Sequence, residues 1–159
     1  DKLDKQLPYL KKKFPKYTNF SKVKDIKGLT GKSEDKILEI NNLYELRSIL
    51  YINKGDKFVG NPLPKEAQFS SIEDFHFIKD SIPKLIYVGN FHQYVSELGI
   101  STANPGGILT DWDSDLQNFK KSKFLPLPLS LNTRKIIALD NDNFFILTND
   151  DYVYVVSVK

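Results

Sequence analysis

Three aspartates at alternating positions, Asp111, Asp113 and Asp115, come nearest in spacing to a known chemistry. Alternating carboxylates open calcium loops because their oxygens can wrap one cation around a tight turn. Here Leu116 stands where that turn needs glycine, and no acidic residue closes the loop downstream, so the spacing predicts a solvated hairpin turn. Asp140 with Asp142 and Asp150 with Asp151 read as two similar turns. The only histidines, His76 and His92, lie 16 positions apart without zinc-ligand spacing, though Glu73 and Glu97 are each near one of them. No Gly-x-Ser-x-Gly elbow accompanies them. Glu66, Glu73 and Glu97 could supply a carboxylate pair for glycoside hydrolysis, but their spacing does not place two acids across a bond. The chain has no Cys, which excludes disulfides, thiolate metal sites and a cysteine nucleophile. No catalytic residue, metal ligand or cofactor is therefore assigned, calcium being the one ion with a partial motif.

Aromatic side chains are the more promising groups. Aromatics make up 13% of the chain, including eleven Phe and eight Tyr. Tyr87, Phe91, Tyr94 and Trp112 fall at or near expected loops and turns. Flat rings there can stack on sugar faces or anchor a protein partner, although rings beside strand ends also pack into cores. The stretch from Asn90 to Gly106, with Gly99, Pro105 and Gly106, reads as a long loop and the preferred contact surface.

The elements that must position these groups are mostly strands. In the first 29 residues Leu3, Leu7, Leu10 and Phe14 recur at helical spacing among lysines, with Pro8 opening or kinking a helix and Pro15 closing one. From there on, short apolar runs alternate with Asn, Asp, Gly and Pro, predicting strands at 37–40, 48–52, 70–77, 84–88, 107–109, 134–139, 144–147 and 152–158. The net charge of +3 rests on lysine clusters such as Lys11, Lys12, Lys13 and Lys16. Arg47 and Arg134 are the only arginines, so the forked contacts of a nucleic-acid reader are nearly absent and a solvated helix face is expected. No apolar run reaches the ~20 residues that span a bilayer. The chain does not begin with Met, as expected of a processed chain or a piece of a longer one.

The strand pattern occurs twice. Ile49-Leu50, a polar turn, Phe58 and Pro62-Leu63-Pro64 match Ile108-Leu109, a polar turn, Phe119 and Pro126-Leu127-Pro128. The hairpins that follow match as well: Ser71-Ile72 and Leu85–Val88 against Lys135-Ile136 and Phe145–Thr148. An offset of roughly 60 residues suits a four-stranded blade with its loops.

These residues also carry a resemblance. Gln6-Leu7-Pro8-Tyr9-Leu10-Lys11-Lys12-Lys13-Phe14, with Tyr17, Phe20 and Asp25-Ile26 after it, resembles a segment of bacterial FG-GAP/VCBS-repeat propeller proteins. That group is related to the ASPIC/UnbV proteins and shares the integrin-α type of blade. The similarity continues through Leu63–Ser70, Leu85–Phe91 and Gly106–Leu109, and so touches the whole chain. The resemblance implies a mainly β fold: about two antiparallel four-stranded propeller-type blades and a short N-terminal helical insertion, from the C-terminal end of a seven-bladed or similar propeller. The expected divisions are 1–33 for the insertion, 34–91 for the first blade and 92–159 for the loop and second blade. It further implies an extracellular or outer-surface location and a non-catalytic module that packs on other blades or binds a protein partner, without nucleic acid. A carbohydrate-binding protein of a glycan-uptake system is the alternative, and a polysaccharide hydrolase the remote one. Where FG-GAP blades carry a calcium loop, this chain has Asp74-Phe75-His76-Phe77-Ile78-Lys79-Asp80, whose Phe and Ile offer no oxygen ligands, so that role does not carry over.

Overall fold

A computed structural model describes residues 5–32, 36–92, 103–149 and 152–158. The chain divides into two compact units, Asp1–Tyr44 and Glu45–Lys159. The first therefore runs past the 33/34 boundary drawn from the sequence. The strand expected at 37–40 is not formed: residues 37–44 belong to no helix or strand.

The first unit is built from short helices. Pro8 stands at the start of α1 (Tyr9–Lys13), and Pro15 follows its end at Phe14. α2 (Tyr17–Phe20) brings Phe20 edge-on to Phe14, with ring centroids 5.8 Å apart. α3 (Ile26–Thr30) is capped by Asp25, whose carboxylate accepts the Gly28 N–H at 2.6 Å, and it ends on Gly31 at φ 73°. The Lys13 ammonium donates to the Gly28 and Leu29 carbonyls, tying α1 to the end of α3.

The second unit is mainly antiparallel β, in three sheets that follow chain order. The first pairs β1 (Ile49–Asn53) with β2 (Phe58–Pro62). The middle sheet is a four-stranded meander of β3 (Asp74–Ile78), β4 (Lys84–Val88), β5 (Gly106–Asp113) and β6 (Asn118–Phe124). The last holds β7 (Thr133–Ala138), β8 (Asn143–Thr148) and β9 (Tyr154–Ser157). Asx side chains shape the turns: Asn53 before Gly55, Asp113 before Leu116 and Asp140 before Asn143 each accept nearby backbone N–H groups. A 3₁₀ turn, Lys65–Gln68, links the first sheet to the middle one. Among the described residues no helix is long and apolar enough to cross a membrane.

β4 is covered on both faces, which is why Leu85, Ile86, Tyr87 and Val88 run apolar without alternation. Leu85 and Tyr87 pack with Leu109, Phe119 and Ala67 beneath Leu50 and Leu63 of the first-sheet hairpin and its exit. Ile86 and Val88 face the other way, into a cluster with Ile136, Phe144, Ile146 and Val156 of the last sheet.

Strand pairing crosses the expected division at 91/92. β4 pairs with β5 from Leu85↔Leu109 to Val88↔Gly106, so one sheet takes two strands from each sequence repeat. The expected repeat units each span two hairpins, and the sheets are phased two strands away from them. Pro62-Leu63-Pro64 ends β2, and Pro126-Leu127-Pro128 lies between the middle and last sheets, both places where proline need not donate to a ladder.

Candidate functional site

Two of the expected loop aromatics, Tyr87 and Trp112, are packing groups. Tyr87 lies within β4 and is buried; its hydroxyl is 2.9 Å from the Ser122 Oγ and accepts from Asn104 Nδ2 at 3.0 Å. Burial pushes its pKa up, against the lowering effect of those two hydrogen bonds. Trp112 is half-buried on β5, edge-on to Phe119 at 5.0 Å. Both lie near a strand end, and a strand end is exposed only if no second sheet covers it: Tyr87 is buried and Trp112 half-buried. Phe91 is half-buried just past β4, and Tyr94 lies outside the described residues, as does Glu97.

Several polar candidates are likewise engaged. Asp113 accepts from the Leu116 and Asp115 N–H groups and pairs with Lys120 at 2.6 Å, which together hold its pKa below the usual carboxylate range. Asp111 pairs with Lys121. Glu73 meets Arg134 at 3.1 Å, and Glu66 sits in the 3₁₀ turn. His76 tilts over the Phe144 ring at 5.5 Å in mid-strand, whereas His92 lies beyond the far end of β4. Asp74, the residue aligned with a calcium loop, is the first residue of β3. Its Oδ2 accepts the Ile136 N–H of β7 at 2.9 Å and meets Lys135 at 3.1 Å. Among the described residues no three His, Cys, Asp or Glu side chains are grouped to hold a metal.

The long-loop candidate is anchored by a buried polar hub. Asn90 donates to the Leu129 and Leu131 carbonyls and accepts from the Ser70 hydroxyl and the Asn104 N–H. Asn104 donates to the Glu66 carbonyl and accepts from Gly106 N–H, while Thr133 donates to the Gly89 carbonyl. These bonds fix both ends of the 92–103 connection; residues 93–102 themselves lie outside the described residues.

Among the described residues two apolar rows are left uncovered. Cross-strand partners share a face, so Phe75 and Phe77 lie on the same side as Tyr87 and Leu85, towards the first sheet. Among the described residues the first sheet has two strands and does not reach them: Phe75 is 64% and Phe77 45% exposed. Between β1 and β3 opens a cleft of about 510 Å³ lined by Ile49, Leu50, Tyr51, Ile72, Phe75 and Leu85. At the other end of the stack Ile137, Phe145 and Val155 are successive cross-strand partners on the outer face of the last sheet. Ile137 and Val155 are exposed there, and Phe145 half-buried. Sequence reading passed over these rows because an apolar strand position looks the same whether or not a neighbouring sheet covers it.

The chain matches no protein-family model, no curated protein and no solved structure in the three comparisons made.

Proposed function

We propose that this chain is a non-catalytic interaction module, a run of successive propeller-type blades of the FG-GAP/VCBS kind that packs on further blades or on a protein partner. In this reading the middle sheet is one four-stranded blade, and the first and last sheets are incomplete neighbours. The observation that carries it is the pair of uncovered apolar rows, Phe75 with Phe77 and Ile137 with Phe145 and Val155, one at each end of a face-to-face stack. Meander sheets in chain order, and a sequence repeat offset from them by two strands, add support. A place outside the cell comes from the family resemblance alone. Glycan binding draws less support, since Tyr87 is buried and Trp112 is packed on Phe119.

The test is binding of an apolar dye to the native chain. Uncovered rows bind it before the melt, and the combined Phe75→Lys and Val155→Lys variant binds much less at an unchanged melting temperature. A native chain that binds no dye would overturn the proposal.

A further inference from the structure

We infer that the first unit docks on a membrane surface rich in anionic phospholipid, through the lysines and exposed apolar side chains of residues 5–32. The inference concerns a different part of the chain from the apolar rows of the sheets and does not depend on them.

The charge of the chain is divided unevenly. Residues 5–32 hold nine lysines and one acid, Asp25, for a net charge of +8. Residues 45–159 hold 12 basic and 14 acidic side chains, for a net charge of −2. All nine lysines are exposed, and the Asp25 carboxylate is engaged in capping α3 through the Gly28 N–H. In the second unit, by contrast, Lys120, Lys121 and Lys135 each meet an aspartate. A segment with so much charge of one sign is drawn to a surface of the opposite sign, and each lysine near an anionic leaflet adds to the attraction.

Apolar side chains stand among these lysines. Tyr17 follows Lys16 and is 79% exposed, although its ring lies 6.2 Å from that of Phe20, which packs edge-on against Phe14. It is an ordered ring presented to solvent. Ile26, 58% exposed, lies between Lys24 and Lys27, and Tyr9, 40% exposed, precedes Lys11 and Lys12. Rings and aliphatic groups beside lysines suit the headgroup boundary, where the ring enters the lipid and the lysine reaches back to phosphate and water.

The same features disfavour nucleic acid. Residues 1–44 contain no arginine, so the forked contacts to phosphate and base edges are missing. α1, α2 and α3 have five, four and five residues, too short to present the several side chains of a groove-reading helix. The described residues of this unit contain no strand that could take the place of such a helix. Lysine is a point charge on a flexible stem and needs no fixed partner geometry, which fits a fluid layer of headgroups.

Co-sedimentation of the full chain with vesicles reads the association. Vesicles of equal parts phosphatidylcholine and phosphatidylglycerol are expected to carry the chain down at low salt and to release it at high salt. Vesicles of phosphatidylcholine alone are expected to leave it in solution. Lys12→Glu with Lys16→Glu and Lys24→Glu reverses three exposed charges, and is expected to weaken binding by about tenfold or more. Tyr17→Ser leaves every charge in place and is expected to weaken binding several-fold, which keeps the test valid if the triple variant fails to fold. A chain that ignores the anionic vesicles, or binds neutral ones equally as apolar contact alone would, overturns the inference. So does binding that persists in both variants, or tighter binding to duplex DNA than to anionic vesicles in the same buffer.

Discussion

Gly107 on β5 lies directly opposite Tyr87 on β4, and the Tyr87 ring occupies the space a side chain at 107 would need. A Cβ there would sit 2.6 Å from the ring's Cζ and 2.8 Å from the Lys123 carbonyl. The ring is not free to give way, because its hydroxyl is held by Ser122 and Asn104. Gly107→Ala is expected to cost about 2 kcal/mol or more through overpacking, measured by urea denaturation. Tyr87→Phe at the same site keeps the ring and loses only its bonds, so it should cost less.

Asn90 concentrates four hydrogen bonds in a fully buried side chain. Asn90→Ala strands the Leu129 and Leu131 carbonyls without a donor, at a cost of about 3 kcal/mol. Asn90→Asp keeps the volume but faces those two carbonyls with a carboxylate, and is expected to be at least as damaging. Thermal melts of both variants check this order.

Asp74 makes stability depend on acid. Burial alone would raise its pKa, but the Ile136 N–H and the Lys135 ammonium outweigh that and hold it below its ordinary 3.8. A carboxylate with a depressed folded-state pKa stabilises fully above its unfolded value and loses that contribution as pH falls through the folded one. The melting temperature should therefore fall below about pH 4, and Asp74→Asn should reduce the dependence in that window while lowering stability at neutral pH.

Trp112 is the chain's only tryptophan, so its fluorescence reports on one place. Half-buried against Phe119, it should emit to the blue of free tryptophan and shift red on unfolding. Trp112→Ala is expected to cost about 2 kcal/mol by loss of that packing, seen in a circular-dichroism melt.

The alternation of apolar and polar residues made most strands legible: 84–88 coincides with β4, and the two C-terminal hairpins fall within a residue or two of expectation. β2 and β6 were passed over. The first contains Gly60 and ends at Pro62, and the second carries Lys120, Lys121 and Lys123, residues that suit edge strands but read as turn. The stretch 37–40 has strand composition and no strand, since pairing depends on a partner that composition does not reveal. Tyr87 and Trp112 were placed correctly in the chain and wrongly in depth, for burial is set by which sheet lies above. The uncovered rows depend on that same stacking, and only the pairing register brings Ile137, Phe145 and Val155 into line.

The two-sided cover on β4 has a consequence for how this chain survives before it is folded. Leu85-Ile86-Tyr87-Val88 is uncharged, β-favouring and free of proline, the composition that self-stacks when exposed. Pro83 and Lys84 stand immediately before it and Gly89-Asn90 immediately after, where charge and weak strand propensity interrupt such stacking. The strand at the heart of the stack is thus also an aggregation hazard before folding, and its flanking residues disfavour such stacking until the sheets on either side close over it.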